Sequence, residues 1–388
     1  MNRRHDRAVS EVTAAVGAVR DPEVRLSLGE LGMIGPVSVD EAHATIQVRL
    51  TIAGCPAAVS IERDVHAAAL TVTGIDAVVV DVQIMTPSER ATLLEQLKPG
   101  GVRENPFGPG TLTRVIAVTS GKGGVGKSTL TANLAVALAR QGLAVGILDA
   151  DVYGFSIPGL LGLAPDGIAV KPTRLDDMIL PPVAHDVKVI SIGMFVDDAS
   201  VAVAWRGPML HRTITQFLTD VYFGNLDILL LDLPPGTGDV AISVGQLLPN
   251  AEVLVITTPQ SAAADVAVRA GVVARQTGQR ILGVVENMAG LPMPDGSVLE
   301  LFGSGGAAEV ALALSAGQDV PVPVLASIPL SVALRAGGDA GDPIVMTDPE
   351  DAASSAITAL ARTILTAGKS RVGMPLGLSP RTEAQKKS

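Results

Sequence analysis

The chain has 388 residues, 47% hydrophobic and 18% charged, with Gly 41 and Pro 26; at about 150 residues per domain this leaves room for two or three domains and excludes disorder of the bulk. A balance of 29 basic against 39 acidic groups, net −10, argues against broad, sequence-independent nucleic-acid binding, and 1 Trp, 2 Tyr and 6 Phe offer few stacking platforms for single strands. The single cysteine, Cys55, permits neither an intrachain disulfide nor a four-cysteine metal site within one chain, which points to a reducing compartment.

The start, Met1-Asn2-Arg3-Arg4-His5-Asp6-Arg7, leads into a polar periodic segment and not into an apolar stretch with a cleavage site. No apolar run approaches the ~20 residues of a membrane span, so a cytoplasmic location is expected. Val9, Val12, Val16 and Val19 follow helical spacing and predict an opening helix. Ala44, Ile46, Val48 and Leu50 alternate with polar residues, as do Val78, Val80, Val82 and Ile84 further on, and both predict half-buried strands. Between them Pro56 stands where a helix can start, with Ala57 to Leu70 as its body. Residues 1–98 thus read as a small α+β domain. Positions 99–112 concentrate helix and strand breakers and read as a linker. From 113 to 367, apolar runs at Val115–Val118, Val145–Leu148, Ile228–Leu231, Val253–Ile256 and Ile281–Val285 alternate with helix-length segments, which predicts an α/β domain with a mostly parallel sheet. Residues 368–388 are punctuated by Gly and Pro, basic and aperiodic, and read as a mobile tail. His5, His43, His66, His185 and His211 show no paired metal spacing.

Gly121-Lys122-Gly123-Gly124-Val125-Gly126-Lys127-Ser128 satisfies G-x-x-x-x-G-K-S/T, directly after one apolar run and before a helical stretch from Leu130 to Arg140. Glycines let several N–H groups converge on one anion, the helix start adds its dipole, and Lys127 adds a point charge, so the loop predicts a nucleoside triphosphate cradle. Phosphoryl transfer also needs a metal and an acidic group at the end of a neighbouring strand. Asp232, after Leu229-Leu230-Leu231, fits that role with Ser128 as the other Mg2+ ligand. Pro234-Pro235-Gly236-Thr237-Gly238-Asp239 follows as a non-helical switch segment. Asp149 and Asp151 end another apolar run, where the two carboxylates can orient the attacking water or reach the metal; the alternative is an exposed loop pair.

The nine residues GKGGVGKST, Gly121 to Thr129, resemble the deviant Walker A loop of the ATPase group that includes MinD, ParA, the arsenite-pump ATPases and nitrogenase iron protein. The resemblance implies that Lys122 reaches the γ-phosphate of a partner subunit in a nucleotide-sandwich homodimer, that Asp151 positions water, and that Asn287 contacts adenine. Asp149-Ala150-Asp151-Val152-Tyr153-Gly154, Trp205-Arg206-Gly207-Pro208-Met209, Leu231 to Asp239, Thr258-Pro259-Gln260 and Glu286-Asn287-Met288 narrow the match. Together they resemble the Mrp/ApbC proteins, ATP-hydrolysing iron–sulfur cluster carriers. Asp21-Pro22-Glu23, Leu31-Gly32-Met33 and Gly54-Cys55-Pro56 resemble the MIP18-type module fused in front of such ATPases. The implied cofactors are ATP and Mg2+, with an Fe–S cluster as cargo. The implied partners are a second copy, apoprotein clients and Fe–S assembly proteins, with no nucleic acid and no membrane.

Family members commonly carry C-x-x-C after the Glu-Asn-Met run; here Met293 and Gly296 stand at those positions. A cluster takes four thiolate or equivalent ligands, and a dimer of this chain offers two copies of Cys55. Cys55 precedes a helix start, whose N–H groups would favour a thiolate; the alternative is a small buried hydrophobe. Trp205-Arg206 fits either a dimer face or simple packing. A positioning ATPase, or a scaffold without its own cluster, is the competing functional reading. Gly373, Pro375, Gly377 and Pro380 would break the terminal amphipathic helix of a membrane-bound version, and a nitrogenase-like reductase needs cysteines that the ATPase segment lacks.

Overall fold

A computed structural model describes residues 2–52, 55, 57–97, 105–152, 154–195, 207–293 and 295–367. The proposed tail, Trp205-Arg206, Tyr153 and Pro56 lie outside the described residues.

The N-terminal part runs α1 (Asn2–Gly17), β1 (Ile34–Asp40), β2 (His43–Leu50), α2 (Ala58–Leu70), β3 (Ala77–Ile84) and α3 (Pro87–Leu97). β2 pairs antiparallel with β1 and parallel with β3, the latter being possible because α2 supplies the crossover. Ala44, Ile46 and Val48 of β2 turn the same way and are buried against Ile61, Val65 and Ala69 of α2, as period 2 meeting period 3.6 requires. Val12 and Val16 bury the face of α1, while Val19 lies beyond its end.

The rest comprises β4 (Arg114–Ser120), α4 (Lys127–Ala139), β5 (Val145–Asp149), α5 (Ile157–Leu160), β6 (Thr173–Leu175), β7 (Met178–Leu180), β8 (Val183–Ala184), β9 (Val187–Ser191), α6 (Gly207–Asp220), β10 (Ile228–Asp232) and α7 (Asp239–Leu247). There follow β11 (Glu252–Thr257), α8 (Ser261–Gln276), β12 (Arg280–Asn287), β13 (Leu291–Pro292), β14 (Val298–Leu299), α9 (Gly306–Ser315), β15 (Val324–Ile328), α10 (Val332–Ala340), α11 (Ile344–Thr347) and α12 (Ala352–Thr366). Eight strands form one sheet in the order β15-β12-β11-β4-β10-β5-β9-β8, all pairs parallel except β8 with β9. Every residue of β4, β5, β10 and β11 is buried, since helices cover both faces; this is why these strands read as continuous apolar runs. This is the P-loop NTPase fold with a small α+β domain in front. β10 lies between β4 and β5, so the carboxyl ends of all three meet where the chain order reverses, the place where such sheets hold ligands. No helix among the described residues is long and apolar enough to cross a membrane.

Four side chains cross the boundaries drawn from sequence pattern. Phe107, inside the breaker-rich segment, is buried in the large core and stacks edge-on against Phe223 at 5.7 Å. Conversely, Leu175, Met178 and Leu180 of the β6–β7 hairpin are buried in the core of the N-terminal unit.

Candidate nucleotide site and the cysteine

The loop between β4 and α4 turns through Gly124 (φ +80°) and Gly126 (φ +77°), a left-handed geometry that only glycine adopts freely. Gly121 answers to a different constraint, because a Cβ there would lie 2.3 Å from the backbone of Val266 and Ala267 in α8. Gly121→Ala is therefore expected to cost about 3 kcal/mol through overpacking against rigid backbone; an unchanged thermal midpoint would contradict that close approach. Residues Lys122 to Thr129, with Ser120, Asp151, Gly154, Ser156, Pro234 and Pro235, line a cavity of about 550 Å³. A second cavity of about 200 Å³ shares Gly126 and Thr129 and continues to Asn287, Pro329, Leu330 and Arg335.

Asp232 is fully buried behind the wall of the first cavity, bonded to Lys127 and Ser128 that line it. It accepts hydrogen bonds from Lys127 Nζ at 2.6 Å, Ser128 Oγ at 2.6 Å and Thr131 Oγ1 at 2.9 Å. Lys127 thus points inward beside its own strand-end carboxylate. Lys122 stands on the rim, its Nζ donating to Gln260 Oε1 at 3.0 Å. Asn287 is buried and donates to the Val125 carbonyl at 2.8 Å, so one side chain joins the end of β12 to the phosphate loop. A Cβ on Gly126 would meet that amide nitrogen at 2.3 Å.

The two carboxylates ending β5 have separate situations. Asp151 lines the cavity and accepts from Gly154 N–H at 3.1 Å. Asp149 is sealed, taking the Ser191 hydroxyl at 2.9 Å and sitting in register with Asp232. Burial, and then the charge of Asp232, push its carboxyl well above the usual range. The expectation that both carboxylates orient water or reach the metal is therefore corrected for Asp149, whose hydrogen bonds go to Ser191 and the Asp151 N–H and not to the phosphate loop, and neither aspartate is an exposed loop residue.

Among the described residues no three of His, Cys, Asp and Glu gather into an ion cage. Ser128 and Asp232 supply two hard oxygen donors in contact with each other. Such a partial set fits Mg2+, which keeps waters and takes its remaining ligands from nucleotide phosphates.

Cys55 belongs to the small core, apart from these residues, and is 7% exposed. The N–H groups of Ala57 and Ala58 do favour its charged form, but burial and the charges of Glu23 and Asp21 outweigh them and push the thiol up to about 11. The expected thiolate is thus corrected to a protonated thiol in this arrangement. Burial likewise raises Glu23 to about 7. Met293 and Gly296 both fall between the short strands β13 and β14, with Met293 38% exposed.

Sequence reasoning missed three supporting residues: Thr131, Ser191 and, as the partner of Lys122, Gln260. Thr131 follows Lys127 by four, one helical turn, and was readable as facing the same way. Ser191 ends a strand that the pattern did not reveal.

A family model described as NUBPL iron-transfer P-loop NTPase matches residues 111–365, and one described as iron-sulfur cluster assembly protein matches residues 10–82. The iron-sulfur cluster carrier protein of Mycobacterium tuberculosis is 51% identical over 373 residues, covering 95% of this chain and 96% of that protein. The protein of the same name from Synechocystis is 40% identical over 360 residues, covering 92% and 96%. A solved nucleotide-binding protein from Archaeoglobus fulgidus in complex with ADP is 38% identical, covers 62% of this chain and 89% of its own, and superposes with a TM-score of 0.51. A nucleotide cradle of this geometry, preceded by a small domain of the assembly type and matched nearly end to end, makes the chain a member of the iron–sulfur cluster carrier family of NUBPL-type P-loop NTPases.

Proposed function

We propose that this protein is an ATP-hydrolysing iron–sulfur cluster carrier that acts as a nucleotide-sandwich homodimer in the cytoplasm and delivers clusters to apoproteins. The observation that carries the reading is the opposite placement of two lysines on one loop, Lys127 inward on Asp232 and Lys122 outward on the rim. In this reading the first cation serves its own subunit's phosphates and the second the γ-phosphate of a facing copy.

In this reading the N–H groups of Gly123 to Lys127 cradle the β- and γ-phosphates, and Lys127 leaves Asp232 to neutralise their charge. Ser128 and Asp232 hold Mg2+, which when bound neutralises charge on the phosphate oxygens. Asp151, at the cavity wall, accepts a hydrogen bond from the attacking water and aligns it with the γ-phosphorus. Asn287 and the 200 Å³ cavity take the adenine. Gln260 holds Lys122 until a partner approaches. Apoprotein clients and Fe–S assembly proteins are the partners, with neither nucleic acid nor membrane required.

The cargo half of the reading rests on Cys55 and on the relatives' names. Because two Cys55 thiols in a dimer fall short of four ligands, a cluster held here must be completed by external or client thiols; a scaffold without its own cluster is the reading that the missing pair of cysteines favours. Anaerobic reconstitution followed by iron and sulfide analysis separates them. Iron above that of a Cys55→Ser control is expected, and equal iron in the two proteins removes the carrier role from Cys55.

A further inference from the structure

The N-terminal unit and the ATPase part are joined by more than the chain between them. Thr173, at the start of β6 and 2% exposed, donates its hydroxyl to Glu23 Oε1 at 2.9 Å. Three residues of the same hairpin, Leu175, Met178 and Leu180, sit in the small core that also holds Cys55. Arg25 reaches across to the Asp186 carbonyl at the turn between β8 and β9. Lys188, on β9 and 2% exposed, is buried on the same side: its Nζ bonds the Phe223 carbonyl at 3.0 Å and lies 5.4 Å from the Tyr222 ring centroid. Asp21 and Glu23 act on it as counter-charges, and burial lowers it to about 8.

One of these contacts falls on Glu23, whose charge acts on the cysteine. Glu23 is both the acceptor for Thr173 and the strongest charge acting on Cys55. The thiol thus shares its core with a hairpin belonging to the other half of the molecule. We propose that the docked arrangement is a closed state, in which the β6–β7 hairpin, tied to Glu23 through Thr173 and backed by the tie of Arg25 to the β8–β9 turn, seals Cys55, and that undocking of the N-terminal unit opens the thiol to reaction. The inference rests on the proposed carrier role only for the purpose of that opening; the gating itself requires neither a cluster nor hydrolysis.

Because Cys55 is the chain's one cysteine, thiol modification of the full-length protein reads this residue alone. Modification proceeds through the thiolate, so a thiol returning from about 11 toward the unperturbed ~8.5 gains reactive fraction as well as access. The rate of N-ethylmaleimide modification at pH 7.5 is compared for wild type, Met178→Asp, and the double variant Thr173→Val with Arg25→Ala. The first drives a charge into the shared core. The second removes only the polar ties and so survives if the first fails to fold. Far-ultraviolet circular dichroism identifies the folded variants, and ADP binding checks that the nucleotide site is intact. A rise of at least tenfold in either folded variant is expected; a smaller rise in every folded variant overturns the closed state. Neither result depends on iron content or turnover, so failure here is distinct from failure of the carrier reading.

Discussion

Lys122→Ala is expected to leave ADP binding intact and to reduce ATP turnover about 10³-fold, the scale on which NTPases lose rate when a charge-neutralising finger is removed. Binding survives because Lys122 takes no part in the Lys127–Asp232–Ser128 cluster; its ammonium bonds Gln260 on the rim. Turnover falls because charge that builds on the γ-phosphate in the transition state loses its second cation. The trans placement has a sharper signature. Mixing Lys122→Ala with Lys127→Ala pairs a subunit able to hold nucleotide with one still able to supply Lys122, and phosphate release should recover to a measurable fraction of wild type. A mixture as inactive as its parts would confine Lys122 to its own subunit.

For Lys127→Ala the loss comes one step earlier. A charge-assisted hydrogen bond to phosphate contributes up to about 3 kcal/mol, so affinity for ADP and ATP should drop about 100-fold in calorimetry. Stability should fall too, since the substitution leaves Asp232 fully buried without its cation, at a typical cost of about 3–5 kcal/mol. That deficit has a definite pH dependence. Asp149, opposite Asp232, has its carboxyl raised in the folded state by burial and by that neighbour. A group raised on folding stabilises below its unfolded value and loses that contribution as pH climbs through the folded one. Lys127 is among the charges that hold that carboxyl down, so its removal raises it further; the melting deficit of Lys127→Ala should therefore stay level at lower pH and widen as the pH climbs past about 8, and a deficit independent of pH would place the lost charge balance elsewhere.

The phosphate loop, Asp232 and the five inner strands were legible because burial on both faces leaves an unbroken apolar signature and the loop's chemistry tolerates few alternatives. β9 was not legible. Lys188 interrupts its apolar run, and that lysine is interpretable only once Asp21 and Glu23 arrive from more than 150 positions away. The β6–β7 hairpin, with three residues per strand, is too short for alternation to register. At Asp149 and Asp151 the sequence offered two equivalent carboxylates; register with Asp232 and the hydroxyl of Ser191 make one a sealed support and leave the other at the cavity. Local reasoning about Cys55 was right about the N–H groups of the helix start and silent on the two acids that outweigh them.

That the small core is finished by Leu175, Met178 and Leu180 also sets an order of events on the ribosome. α3 closes the N-terminal unit's own sequence at Leu97, and the hairpin follows about 80 residues later, roughly 4–16 s of synthesis at about 5–20 residues per second. For those seconds the nascent unit carries an open apolar seam, the kind of surface that holding chaperones retain. Its maturation is timed by the arrival of a segment encoded well inside the neighbouring ATPase.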